Sequence, residues 1–148
     1  MTVGADDVVR AARAWLGTPY RHGASVRGAG ADCLGLVRGV WRDVLGAEPE
    51  VPGPYTADWG EPGRVEILWE AAARHLLAVA PGAERAPGEV LLFRLREGGI
   101  AKHMGILSVA GPSPAFIHSY SGHGVVESAL TEPWRRRLVA RFRFPQET

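Results

Sequence analysis

Apolar residues Val8, Val9, Ala12, Trp15 and Leu16 recur at helical spacing behind Asp6 and Asp7, two acids suited to the positive end of a helix. The spacing predicts a first helix, ended by Gly17 and Pro19. From Gly17 to Ala31 the chain is glycine-rich and poor in large side chains, which predicts a long loop. Asp32 then suits the cap of a second helix, with Leu34, Val37, Val40, Trp41, Val44 and Leu45 on one face and Gly46 and Pro49 as its stop. Cys33 is the first residue of that helix. The proline- and glycine-rich stretch from Glu48 to Gly63 reads as a second loop, and Val65 to Val79 as a third helix.

After Pro87 and Gly88 the pattern changes to strands: Val90 to Leu95, Lys102 to Val109, Ala115 to Tyr120, Gly124 to Ser128 and Leu138 to Phe144. The last alternates, with Ala140, Phe142 and Phe144 on one face and Arg141 and Arg143 on the other. Helices first and a meander of strands afterwards predict an α+β fold with N-terminal helices packed on an antiparallel β-sheet.

At 148 residues and 46% hydrophobic, the chain has the size and composition of one domain spanning residues 1–148. Its net charge of +1 provides no field to draw in nucleic acid. The local excess at Arg135, Arg136, Arg137, Arg141 and Arg143 reads first as a solvated face and second as a partner contact. No window approaches the roughly 18 apolar residues of a membrane span. No basic stretch followed by an apolar run opens the chain, so no signal peptide is expected and the protein is expected in the cytoplasm of the producing cell.

The single cysteine, Cys33, excludes an internal disulfide and argues against a cysteine-rich zinc site. A cysteine at a helix start faces unpaired N–H groups and the positive end of the helix dipole, which predicts a depressed pKa and a reactive thiolate. Such a nucleophile needs a base, and the base needs an orienting partner. Of five histidines, His75 and His123 suit surface positions, while His22, in the loop before Cys33, ranks second as a base. His103 and His118 both lie within strands. In a hairpin centred between Ala110 and Gly111 they fall directly opposite one another on the same face, with Cβ atoms roughly 4.5 to 5.5 Å apart. Two half-buried histidines satisfied by backbone groups are an equal reading of that geometry.

Together these residues resemble a family. Gly17-Thr18-Pro19-Tyr20, the Asp32-Cys33-Leu34-Gly35 helix start, His103-Met104-Gly105 on a strand and His118 after an apolar pair are similar to the NlpC-type cell-wall cysteine peptidases, a papain-like group. The helix start and the stretch from Trp134 to Arg137 resemble the branch found in phage tails and gene transfer agents. The resemblance implies a papain-like fold, with Cys33 as nucleophile, His103 as base and His118 as the orienting residue. It also implies Tyr20 and Asp32 on the substrate side, no cofactor and no metal. The implied substrate is a peptidoglycan stem peptide, and the implied partners are the hub or baseplate proteins of a phage-like tail that carries the enzyme out of the cell. Leu34 departs from the serine of most cellular members and removes a polar group from the edge of the site. Candidate interface anchors are Tyr55 and Trp59 on the proline-rich loop and Trp134 beside the arginines, with packing on their own domain an equal reading of each patch. Two other readings are a structural tail subunit that has kept the fold without catalysis, and a small metal site at Cys33, His103 and His118.

Overall fold

A computed structural model of the chain describes residues 4–55 and 65–145. Helix α1 (Ala5–Arg13) carries Asp6 and Asp7 in its first turn and buries Val8, Val9 and Ala12. It ends earlier than the apolar spacing predicts, and Trp15 follows in the next turn, buried, with its indole N–H donating to Asp43 at 3.0 Å. The expected loop up to Ala31 holds a small hairpin, β1 (Ser25–Val26) and β2 (Gly30–Ala31). Two-residue strands are too short to carry an alternation that a sequence could display. Helix α2 (Cys33–Leu45) starts as expected behind Asp32 and stops at Gly46.

Helix α3 (Ile67–His75) is shorter than the predicted Val65–Val79. Leu77–Ala78 forms β3 instead, paired with the last strand, β8 (Leu138–Arg143), so a tertiary partner overrides the local helical pattern. The strands β4 (Val90–Arg94), β5 (Ala101–Val109), β6 (Ala115–Tyr120) and β7 (Gly124–Ala129) match expectation within a residue or so. A one-turn helix not foreseen from the sequence, α4 (Glu132–Arg137), leads into β8. The sheet is antiparallel throughout, in the order β3-β8-β4-β5-β6-β7, and the architecture is the expected α+β one.

Both faces of the sheet are covered. Val90, Leu92, Met104, Ile106 and Ile117 pack on the helices with Leu36 and Val40, while Leu91, Phe93, Leu107 and Phe116 form a second cluster closed by Leu130, Trp134 and Leu138. Among the described residues no helix is long and apolar enough to cross a membrane.

Two sequence expectations need correction. The β5–β6 register pairs Ile106 with Ile117 and Leu107 with Phe116, which moves the hairpin centre by one residue and the pairing by two. Continued along the strands, it sets Gly105, not His103, opposite His118. The error is an even number of residues, so the two histidines still share a face, as diagonal rather than direct neighbours. Gly105 is what the close approach requires: a Cβ there would lie 2.7 Å from the Phe116 ring and 3.2 Å from His118 Cβ.

The second correction concerns the arginine face. Arg135, Arg136, Arg137 and Arg143 are exposed, but Arg141 is buried, pairing with buried Glu89 at 3.0 Å and donating to the carbonyls of Ala80 and Ala83. Glu89 in turn accepts from the Ala86 N–H at 3.1 Å. The pair therefore clamps the 80–89 connection onto the sheet. Removing one partner leaves a buried, uncompensated charge, so Arg141→Ala is expected to lose about 3–5 kcal/mol in urea unfolding, while Arg143→Ala loses little. Equal, small effects from both variants would contradict the clamp.

Candidate functional site

The site begins at the α2 N-terminus. Asp32 is buried, and its Oδ1 accepts from the Gly35 N–H at 2.7 Å while its Oδ2 accepts from the Gly23 N–H at 2.7 Å and from the Tyr55 hydroxyl. Three separated stretches of chain therefore meet on one carboxylate. Gly35 allows this, since a Cβ there would fall 1.9 Å from the carbonyl oxygen of Ala24. Ser25 Oγ donates to the Gly35 carbonyl at 2.6 Å and fastens the same crossing.

Cys33, placed by that cap, directs Sγ to the carbonyl of Lys102 at 3.8 Å and accepts from the Met104 N–H. The sulfur thus touches the backbone on either side of His103. Lys102 is the extra residue of a bulge, because Phe93 pairs with His103 while Arg94 pairs with Ala101. His103 and His118 lie on the sheet face opposite the helices, among Phe93, Phe116 and Trp134. His103 Nε2 is 2.7 Å from His118 Nδ1, and His118 Nε2 is 2.9 Å from Ser128 Oγ. The Trp134 ring stacks on His103, with centroids 5.4 Å apart and planes at 29°.

Cys33, His103, Tyr20, Asp32 and Tyr55 line one cavity of about 310 Å³. His118 stands behind His103 rather than on the cavity wall. His22 lines the same cavity, but its Nε2 is engaged with the Tyr55 carbonyl at 2.6 Å. His75 pairs with Glu50 at 2.7 Å, and His123 lies exposed against Tyr120. Leu34, Tyr55 and Leu68 also line a neighbouring, largely apolar cavity of about 280 Å³ between α2 and α3.

The expectation of a depressed cysteine pKa is overturned. Burial pushes the Cys33 thiol up to about 12 and the neighbouring Asp32 carboxylate adds to the rise; the N–H groups of Met104, Leu34 and Cys33 offset only part of it. The helix dipole, worth at most about 2 kcal/mol, is outweighed by the cost of a thiolate partly withdrawn from water beside an anion, with Cys33 half-buried at the cavity wall. Burial, and next to it the neighbouring His118, takes His103 down to about 3; burial and then His123 take His118 down to about 4. At neutral pH the site holds a thiol and two uncharged imidazoles. The Tyr20 hydroxyl is also raised, by burial first and then by Asp32 and Cys33.

Several contacts were not foreseen. Of the two readings of Trp134 and Tyr55, packing on their own domain is the one found: they pack on His103 and bond to Asp32 respectively. Trp59 lies outside the described residues. Ser128 carried no motif, but the strand alternation that places His118 could have pointed to it, since His118 pairs with Val126 and Ser128 is the diagonal neighbour.

A cysteine at a capped helix start thus shares a cavity with a histidine from an antiparallel sheet, in an α+β domain with its helices packed on that sheet. The chain belongs to the NlpC/P60 family, whose model matches residues 17–143. Its fold is similar to an NlpC/P60 family protein from Bacillus cereus ATCC 10987, with a TM-score of 0.66 and 21% identity over 97% of this chain and 41% of that one. It is also similar to a lipoprotein-like NLP/P60 family protein from Staphylococcus aureus subsp. aureus Mu50, with a TM-score of 0.59 and 17% identity over 94% of this chain and 40% of that one. A third similar structure is the NlpC/p60 domain of the peptidoglycan hydrolase SagA, with a TM-score of 0.60 and 23% identity over 95% of this chain and 98% of that one. The chain thus spans about two-fifths of the first two and nearly all of the third. No curated protein matches it.

With its thiol held protonated, Cys33 is expected to react with iodoacetamide at a rate that keeps rising with pH through about pH 10. A rate already level at neutral pH would show a preformed thiolate and contradict this electrostatic account.

Proposed function

We propose that this protein is a cysteine peptidase that hydrolyses an amide bond in the stem peptides of peptidoglycan, such as the one between D-glutamate and a diamino acid. The observation that carries the reading is the convergence of Cys33 and His103 on one cavity, with His118 bonded to His103 from behind, in a chain of the NlpC/P60 family. Cys33 is the nucleophile, His103 the base and His118 its orienting partner. Tyr20 and Asp32 flank the substrate side, and Asp32 also holds the helix start.

The resting thiol and imidazole are neutral, so the proton moves during attack rather than before it. Sγ bonds to the substrate carbonyl carbon as its proton passes to Nδ1 of His103, and the C=O π pair moves onto oxygen. The Cys33 backbone N–H, which lacks an intrahelical partner at the helix start, donates to that oxyanion. Collapse breaks the C–N bond, the imidazolium protonates the leaving amine, and a thioester remains. Water, deprotonated by His103, then cleaves the thioester and the thiol is restored. The stacked Trp134 face favours the transient imidazolium by cation–π attraction, while the rings around it keep bulk water out.

Incubating the purified protein with defined stem peptides and weighing the products tests this reading. Cys33→Ala is expected to abolish cleavage with the fold intact, and His103→Ala to lose activity almost as completely. His118→Gln keeps a measurable fraction, because a side chain that accepts a hydrogen bond can still orient the base. Cleavage retained in Cys33→Ala would end the hypothesis, and His22→Ala proving as damaging as His103→Ala would move the base to the loop.

We further propose that the peptidase works as a component of a phage-like tail, with hub or baseplate proteins as partners, which would bring a cytoplasmic product to the cell wall. Support comes from the likeness of the Asp32 to Gly35 helix start and the Trp134 to Arg137 stretch to the tail and gene-transfer-agent branch. The exposed Arg135, Arg136 and Arg137 are available for contact, whereas Trp134 is committed to the site. In fractionated particles the protein is expected to co-sediment with tail components at a low, fixed copy number. Recovery only as free monomer would remove the tail assignment and leave the peptidase reading standing.

A further inference from the structure

The orienting histidine is itself held from behind. His103, His118 and Ser128 run diagonally across β5, β6 and β7 at 2.7 and 2.9 Å, a continuous chain of hydrogen bonds. Each neutral imidazole carries one N–H, so this chain admits two proton arrangements. In the first, His103 Nε2–H donates to His118 Nδ1, and His118 Nε2–H donates to Ser128 Oγ. Nδ1 of His103 is then unprotonated and able to accept a proton. In the second, the Ser128 hydroxyl donates to His118 Nε2, His118 Nδ1–H donates to His103 Nε2, and the His103 proton sits on Nδ1. That arrangement blocks the base.

Only the first arrangement survives a full turnover. When His103 takes a proton it becomes a donor at both nitrogens, so Nε2–H must face an acceptor. His118 Nδ1 must therefore be bare, which puts the His118 proton on Nε2, and that N–H needs an acceptor of its own. Ser128 Oγ occupies the place where that acceptor is required. His118 lies almost wholly buried, so the loss of its partner is not made good by bulk water.

We propose that Ser128 is a positioning residue which fixes the His118 tautomer by accepting its Nε2–H, and so keeps Nδ1 of His103 open as the base. The inference rests on the reading of His103 as the base of a cysteine peptidase. Its spectroscopic test does not. In 15N-labelled resting protein at neutral pH, the His118 ring is expected as the Nε2–H tautomer, and Ser128→Ala is expected to shift it toward the Nδ1–H form.

With stem peptide, Ser128→Ala is expected to lower kcat about tenfold or more while KM stays within about twofold, since one hydrogen bond to the imidazolium relay is lost. Ser128→Thr, which keeps the hydroxyl, is expected to restore both the tautomer and most of kcat. An unshifted His118 tautomer in Ser128→Ala would overturn the proposal, as would a wild-type kcat in that variant or no rescue by threonine. If the wild-type protein cleaves no stem peptide at all, the peptidase reading fails, while the tautomer spectra still decide the part played by Ser128.

Discussion

The arrangement depends on one buried carboxylate. Asp32 ties the start of α2, the Gly23 turn and the Tyr55 segment together through three hydrogen bonds. The first two lie within a dozen residues of one another, while Tyr55 comes from 23 residues beyond Asp32. The carboxylate helps hold the helix start at the height where Cys33 meets the bulge in β5. The short side chains around it serve the same end: Gly35 lets the loop cross the helix at contact distance, and Ser25 pins the crossing.

The same carboxylate works against the thiolate. Asp32 adds to the rise in the Cys33 pKa that burial begins, so the feature that positions the sulfur also keeps it protonated. A site of this kind is protected against adventitious alkylation and oxidation, which attack the thiolate. Its reactivity then depends on proton transfer within the substrate complex. The relay behind His103 has the matching design: uncharged at rest because it is buried, with an aromatic face ready for the charge when it forms.

Much of this was legible in the sequence. The Asp32-Cys33 helix start, the five long strands and the partnership of His103 with His118 follow from capping, alternation and parity of register. Parity tolerated an assumed pairing register that was wrong by two residues, because side chains alternate with a period of two. What escaped has physical causes in common. The β3 pairing and the Arg141–Glu89 clamp are contacts between distant segments, and no local pattern announces them. For Trp134 and Tyr55 the sequence left interface contact and inward packing open, and each turns inward to a site that only the fold assembles. The thiol pKa was misjudged because a helix start is visible in sequence, whereas the depth of burial and the distance to an anion are not.

On the proposed mechanism, Cys33 forms a covalent thioester with the acyl half of a peptide that this cavity accepts. Acid-quenching the reaction with a stem peptide during its first turnovers, and weighing the intact protein, tests it most directly. The account predicts a mass increase equal to the acyl fragment, located on the peptide that contains Cys33 and lost on further incubation. Product formed with no adduct at any time of quenching, or an adduct on another residue, would contradict it.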